Sequence, residues 1–503
     1  MRRRNQLAAA RWPRWQSGWL LTDSERDNPA TAIGPSTEGN QVRLLLHGSD
    51  YFPRLAAELR DTKAGDLVLI CGWRVDAEQR LGTVTVADGV LAAVRSGALV
   101  RGLIWRSHPS WLVGSWGKNR QFAMRINRAG GQILLDHRVA PLGSHHQKFV
   151  VIRRSGNPAG DVAFVGGLDL ARSRFDGPQH SGDPRSRDFA DAYGPTPAWH
   201  DLQLEIRGPA VAQVEEVFRQ RWEHSAPMTY LPQHRIPDLV SGLPQRSTPM
   251  PVRQPAPPPT GHQRVQLLQT YPSRRMYRYP FAPRGEFSVA RGLVKAITRA
   301  RRLIYLEDQY LWSAEVGRVL DEALRSQPDL HVVTVCPRYP DVEGKLKLPL
   351  VAAGQHSAMR MVSEAVKDRI LLLDIENGAG WPIYVHAKIA IVDDTWAAVG
   401  SANLNRRSWS HDSELTVAVL DDPLAGGVQS LALRLRLKLL RDTCSAPMVQ
   451  TMTWSTPTRP CRCCAKVPPG WTTGTALGSR VRVQPDEYGH ARWSSHQPGR
   501  SRW

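Results

Sequence analysis

Four sequence elements recur in the same order in the two halves of this chain, and that duplication constrains the fold more than any other feature. In the first half a buried-strand pattern, AGDLVLICGW at 64–73, is followed by HHQKFVVI at 145–152, DVAFVGGLDLARSR at 161–174 and HDLQLEIRGPAVAQVEEVFRQRW at 200–222. In the second half RRLIYLEDQYL at 301–311 leads to VHAKIAIV at 385–392, TWAAVGSANLNRRSW at 395–409 and HDSELTVAVLDDPLAGGVQSLALRL at 411–435. Short apolar runs alternate with amphipathic stretches, which is the pattern of α/β architecture. Two long copies make a duplication, not a solenoid. The expected organisation is an N-terminal extension over 1–39, a first lobe over 40–230 and a second lobe over 262–442. Residues 231–261 are Pro-rich without apolar periodicity and read as a linker. Residues 443–503 are rich in Pro, Thr, Ser, Gly, Arg and Trp and show no helix or strand period, so a disordered tail is expected.

The second half carries the spacing H-x-K-x4-D-x6-G-S-x-N, formed by His386, Lys388, Asp393, Gly400, Ser401 and Asn403, within a motif region at 380–407. Residues 384–392 read as a strand, on which positions two apart share a face. An imidazole and an ammonium therefore converge on one spot. Asn403 follows a Gly-Ser turn that lets the backbone come close. A nucleophile or acid, a fixed positive charge and an amide donor suit a tetrahedral phosphate with charge on its non-bridging oxygens. An isolated His-x-Lys is more often a buried structural histidine beside a surface lysine. The Gly-Ser-x-Asn sequel tips the balance to chemistry.

The first half repeats this at 140–174 with His146 and Lys148, and Gly166-Gly167 stand for Gly400-Ser401. It departs in three ways. Arg153 occupies the place of Asp393, six extra residues around RRSGNPAG lengthen the hairpin turn, and Asp169 replaces Asn403. His145 should point to the opposite strand face from His146. A nucleophilic imidazole needs an acceptor on its far nitrogen to fix its tautomer. Asp201 opens the strand pattern DLQLEI and Glu414 opens ELTVAV, so Asp201 is expected to serve His146 and Glu414 to serve His386.

These segments, with WHDLQLEIRGPAV and YLEDQYLWS, resemble the phospholipase D superfamily over roughly residues 40–440, and the duplicated set resembles its HKD motif. The resemblance implies two pseudo-symmetric α/β/α lobes with one active site at their interface. It implies covalent catalysis without a metal or other cofactor, in which one histidine attacks phosphorus and the other protonates the leaving alcohol. Water or a second alcohol then resolves the phosphohistidine. On that reading His146, Lys148, His386, Lys388, Asp393, Asn403, Asp201 and Glu414 form the catalytic set, with His146 the nucleophile. Gly167, Asp169, Ser401 and Gln309 contact the substrate. The motif Asp is mainly structural, so Arg153 costs local stability more than chemistry. The implied substrate is a glycerophospholipid. The alternatives are a phosphodiesterase acting on nucleic acid and a catalytically weakened lipid-binding homologue, against which both retained His-x-Lys pairs argue.

A net charge of +20 favours polyanionic partners, whether nucleic acid, anionic lipid or phosphate ester. No RNP-type, helix-turn-helix or aromatic-interleaved basic stretch points to nucleic acid. Apolar runs such as 67–71 and 370–375 are strand-sized, so no membrane span is expected. The basic opening has no apolar h-region, because Arg11 and Arg14 interrupt it. A cytoplasmic monomer touching anionic membrane peripherally is the expectation. The six cysteines suggest neither a disulfide framework nor a spaced zinc set.

Overall fold

Every residue of the strand Leu67–Gly72 is buried, because its alternating side chains enter two different cores. Leu67, Leu69 and Cys71 join a central core, while Val68 and Ile70 join an outer one. The strand Leu303–Glu307 divides likewise, Tyr305 facing the central core and Ile304 and Leu306 a second outer core. This computed structural model describes residues 18–107, 116–184, 189, 191–275, 277–310, 313–339, 361–421, 429–443 and 479–483.

The duplication is explicit in the sheet. Outward from the junction, the first lobe runs Thr37–Leu46, Leu202–Arg207, Val162–Gly166, Phe149–Arg153, Leu67–Gly72, Leu99–Trp105 and Gln132–Asp136. The second runs Gln263–Tyr271, Glu414–Asp421, Trp396–Gly400, Ile389–Val392, Leu303–Glu307, His331–Val335 and Ile370–Asn377. In both, the inner pairings are antiparallel and the last three of these seven strands are parallel. The lobes join where Thr37 and Asn40 pair with Val265 and Gln263.

Helices cover both faces. His47–Arg60, Val86–Arg95 and Trp116–Arg128 fill the first outer core, and Ser288–Arg299 and Ala314–Ser326 the second. On Ser288–Arg299 the buried Val289, Ala290, Leu293, Val294 and Ile297 recur at helical spacing. Each of its large side chains gains about 1.5–3 kcal/mol from burial. Helices Ala210–Trp222 and Leu431–Thr443, one from each lobe, share the central core. The expected α/β class is therefore observed, and the repeated strand order is consistent with two lobes.

Three boundaries need correction. The predicted linker contains a helix, Pro232–Val240, and packs along the first lobe. Its Asp238 is buried against Arg106 and Arg120, and Arg219 and Arg153 donate to the carbonyls of Pro251 and Pro255 at 2.8 and 2.6 Å. Pro232 stands in the first turn, where no backbone donor is needed, so it is compatible with the helix. The start of the described N-terminal extension packs on the second lobe, where Leu21 enters its outer core and Glu25 pairs with Lys295 at 2.7 Å, while Thr37 already opens the first lobe's strand. In the predicted tail, Ser479–Val483 forms a strand antiparallel to Ile370–Asn377, and SRVRV does alternate with period two. The rest of that tail beyond Thr443 lies outside the described residues. Among the described residues, no helix is long and apolar enough to cross a membrane.

Candidate active site

Both motifs sit just before a strand enters the main sheet. Residues 384–392 are not one strand: Ile383–Val385 pairs in parallel with Ala198–His200, and the chain re-enters the main sheet only at Ile389. His386 and Lys388 occupy the bend between them, just as His146 and Lys148 precede Phe149–Arg153. Each bend is tied to the opposite lobe. His386 N donates to His200 O at 2.8 Å, and His146 N donates to Ser413 O at 2.9 Å. Both acceptors immediately precede the expected orienting carboxylates.

The consequence is a crossed pairing. His146 Nδ1 lies 3.0 Å from Glu414 Oε2, and His386 Nδ1 lies 2.7 Å from Asp201 Oδ2. The expectation that each carboxylate serves the histidine of its own lobe is thus corrected. Each imidazole is held by the other lobe, because the bend carries it across the interface before its own sheet begins. Nδ1 being engaged, Nε2 is the nitrogen left for reaction.

The two carboxylates are fixed differently. Glu414 accepts the hydroxyls of Ser401 and Ser408 at 2.5 and 2.6 Å. Ser401, expected at the substrate, is instead a brace for Glu414. Asp201 accepts from Leu202 N at 2.8 Å, and a Cβ on Gly167 would lie 2.1 Å from its Oδ1. Gly167 therefore makes room for the carboxylate. Burial pushes Glu414 up to about 7 and Asp201 up to about 6. Burial, then Lys148 and Lys388, holds His146 well below the usual imidazole range. His386 is depressed by burial, Lys388, Arg174 and Lys148. The cations of both halves thus act on both imidazoles as one electrostatic unit.

Lys148 Nζ donates to His146 O at 3.1 Å and lies 3.4 Å from Asp169 Oδ2. Asp169 also accepts from Trp73 N and Arg74 N, at 3.0 and 3.1 Å. It contacts Lys148 and backbone, and no hydrogen bond joins it to His146 among the described residues. Lys388 donates to His386 O and lies 3.4 Å from Gln309 Oε1, and burial lowers it to about 8. Asn403 is buried with no partner for its Oδ1 among the described residues.

Asp393 is not at the site. It lies in the turn after Ile389–Val392 and accepts from the amides of Arg301, Arg302 and Leu303 at 2.7–2.9 Å. Its first-half counterpart Arg153 is fully buried, 2.8 Å from both Asp161 and Glu215. The motif Asp position is a local brace in one half and the centre of a buried ion network in the other. Glu307 and Asp308 are buried too: Glu307 Oε2 meets His200 Nε2 at 2.7 Å, and Asp308 Oδ2 accepts from Leu404 N at 2.8 Å. His145 turns to Cys71 Sγ, 3.1 Å away. Sequence reasoning missed Arg174, whose guanidinium stacks 3.9 Å from the Trp199 ring, itself 4.6 Å from the His386 ring. Nothing in RSRFD distinguishes that arginine from its neighbours.

The duplicated α/β fold thus brings one His-x-Lys pair from each half into a single site. Residues 117–317 match the family model described as Phospholipase D, and residues 293–435 match Cardiolipin synthase, PLD-like domain. Together these two phospholipase D-like models span residues 117–435, so the chain is similar to the phospholipase D superfamily over most of its length. It is 25% identical to phospholipase D alpha 1 of Ricinus communis, over 75% of this chain and 62% of that protein. It is 24% identical to phospholipase D gamma 2 of Arabidopsis thaliana, over 59% of this chain and 46% of that one. The chain thus spans about half to two thirds of the length of these relatives. The structure of phosphatidylserine synthase from Haemophilus influenzae Rd KW20 shares the fold, with a TM-score of 0.53 at 12% identity, covering 84% of this chain and 90% of that one.

Proposed function

We propose that this chain is a phospholipase D-type phosphodiesterase that cleaves glycerophospholipids, or transfers their phosphatidyl group, through a phosphohistidine. The observation that carries the reading is the crossed pairing of His146 with Glu414 and His386 with Asp201. It leaves two neutral imidazoles with Nε2 available beside Lys148 and Lys388. In the forward step His146 Nε2 forms a bond to phosphorus as the P–O bond to the leaving alcohol breaks. His386 gives that oxygen its proton. Glu414 stabilises the cationic phosphoimidazole across its Nδ1–H. His386 then takes a proton from water or a second alcohol, whose oxygen displaces His146 from phosphorus. A phosphodiester anion among Lys148, Lys388 and Arg174 offsets the repulsion that depresses His386, which lets it carry a proton at the start. Asn403, with its buried amide, and Gln309, which reaches Lys388, are read as substrate-side contacts. The relatives' names supply the lipid substrate class, and the net positive charge supports contact with anionic membrane. The test is incubation with phosphatidylcholine vesicles and ethanol. Phosphatidylethanol and phosphatidate are the expected products. Cleavage of oligonucleotides with no lipid turnover would assign the chemistry to another substrate.

A further inference from the structure

A second cluster of polar side chains lies behind the site. His47, His180 and His200 come from three segments of the first lobe, and Asp442 comes from the last turn of helix Leu431–Thr443. Their ligating atoms all lie within 4.8 Å of one another. Asp442 Oδ2 is 3.0 Å from His47 Nε2, 3.1 Å from His180 Nε2 and 3.3 Å from His200 Nδ1. A tetrahedral centre with bonds near 2.1 Å has edges of about 3.4 Å. The three observed edges approach that value. The imidazoles are fully buried and the Asp442 side chain is 4% exposed.

The outer nitrogens give the second, independent observation. His180 Nδ1 faces Asp176 Oδ2 at 3.3 Å, and His200 Nε2 faces Glu307 Oε2 at 2.7 Å. Metal-bound imidazoles characteristically give their remaining N–H to a carboxylate, which fixes tautomer and ring orientation. Those carboxylates are themselves anchored, Glu307 by the Tyr305 hydroxyl at 2.6 Å and Asp176 by Trp199 N at 2.7 Å. With protons alone, His180 and His200 would each face a carboxylate on both nitrogens. With every carboxylate ionised, filling those contacts would take two buried imidazolium rings with centroids 5.8 Å apart. One cation at the shared focus lets both remain neutral.

We propose that His47, His180, His200 and Asp442 bind one divalent transition-metal cation of the zinc class. Three imidazole nitrogens and one carboxylate suit Zn²⁺, whereas Ca²⁺ and Mg²⁺ take oxygen ligands. With four protein ligands the site is structural rather than catalytic. Its place in the fold shows what it braces. Asp442 brings the second lobe's last helix onto the first lobe. His200 precedes Asp201 and its carbonyl accepts from His386 N, while His47 N donates to Asp201 O at 2.9 Å. The cation therefore clamps the backbone on both sides of the Asp201–His386 contact. The proposal does not depend on the phosphodiesterase reading.

The test uses full-length protein and needs no turnover. Elemental analysis after growth with zinc is expected to find about one zinc ion per chain. Stripping with a strong chelator lowers the Tm, and Zn²⁺ alone restores it. Co²⁺ added to the stripped protein gives the intense visible absorption of tetrahedral cobalt. Asp442→Asn and His47→Gln abolish that absorption. Glu307→Gln keeps all four ligands and weakens zinc binding by about 10- to 100-fold. Replacing Cys461, Cys463 and Cys464 with serine leaves the metal in place. Stripped wild-type protein that shows neither a cobalt band nor a Tm response to Zn²⁺ overturns the proposal. So does metal that survives Asp442→Asn but leaves with the tail cysteines.

Discussion

The two motif halves solve one problem with different materials. Both bring an imidazole across the interface to a buried carboxylate of the opposite lobe, at 2.7 and 3.0 Å. Around that shared contact they diverge. Glu414 is held by two serine hydroxyls, Asp201 by a backbone amide and the space above a glycine. Lys148 is matched by a carboxylate, Asp169, and Lys388 by the amide of Gln309. Asp393 ties down a turn, while Arg153 occupies a buried network. The carboxylate contact at Nδ1 is kept in both halves, and the supports behind it vary. A change at the motif Asp therefore need not signal a dead half.

The severest test of this symmetry is removal of either imidazole. His146→Ala and His386→Ala are each expected to lower kcat by on the order of 10⁴-fold or more, because histidines that act as a unit fail as a unit. The roles are where the halves should part. An acid-free quench followed by mass spectrometry is expected to find phosphate on His146. Phosphate found only on His386 would exchange nucleophile and acid while keeping both histidines.

Next in size is the crossing itself. Glu414→Gln and Asp201→Asn should each lower kcat by about 10²- to 10⁴-fold through loss of tautomer control. Glu414→Gln should abolish the hydrogen-bonded Nδ1–H resonance of His146 and spare that of His386, with Asp201→Asn doing the reverse. The opposite assignment by NMR would restore pairing within each lobe.

The supports should affect stability rather than turnover. Arg153→Ala strands two buried carboxylates and is expected to cost about 3–5 kcal/mol in denaturant unfolding. Asp393→Ala frees three backbone amides, two exposed and one part-buried, and should cost about 0.5–1.5 kcal/mol. In both, kcat of the folded protein should stay within a few-fold of wild type. A large fall in kcat at unchanged stability would place that brace in the chemistry.

The smallest effects lie in the pH profile of kcat/KM. Glu414, facing His146, Ser401, Ser408, Lys148 and Lys388, is pushed up to about 7 by burial. Activity should rise as pH passes that value, because the ionised carboxylate accepts the Nδ1–H of His146. Lys388, among Asp201, Asp308, Glu414 and Lys148, is lowered to about 8, so activity should fall as it loses its charge above that pH. Ser401→Ala removes a hydrogen bond that favours ionised Glu414. It should move the acidic limb upward by about half a unit and leave the basic limb in place. An unmoved acidic limb would detach it from Glu414.

Much of this molecule is determined by local pattern. Apolar runs bounded by turns specify the strands, the repeated order of elements specifies two equivalent lobes, and a two-residue spacing puts each lysine beside its histidine. Those facts depend on neighbours a few positions apart, so they are readable without the fold. The crossed pairing is different. Which carboxylate reaches which imidazole depends on where the chain bends between sheets and how the lobes meet, and residues 146 and 414 carry no local mark of their 3.0 Å contact. The same holds for the Arg153 network, whose partners at 161 and 215 come from a turn and a helix. It holds most strongly for His47, His180, His200 and Asp442, which have no motif spacing at all. Only packing of the second lobe's last helix against the first lobe brings that carboxylate to the three imidazoles, because side-chain convergence at a point is a property of tertiary structure.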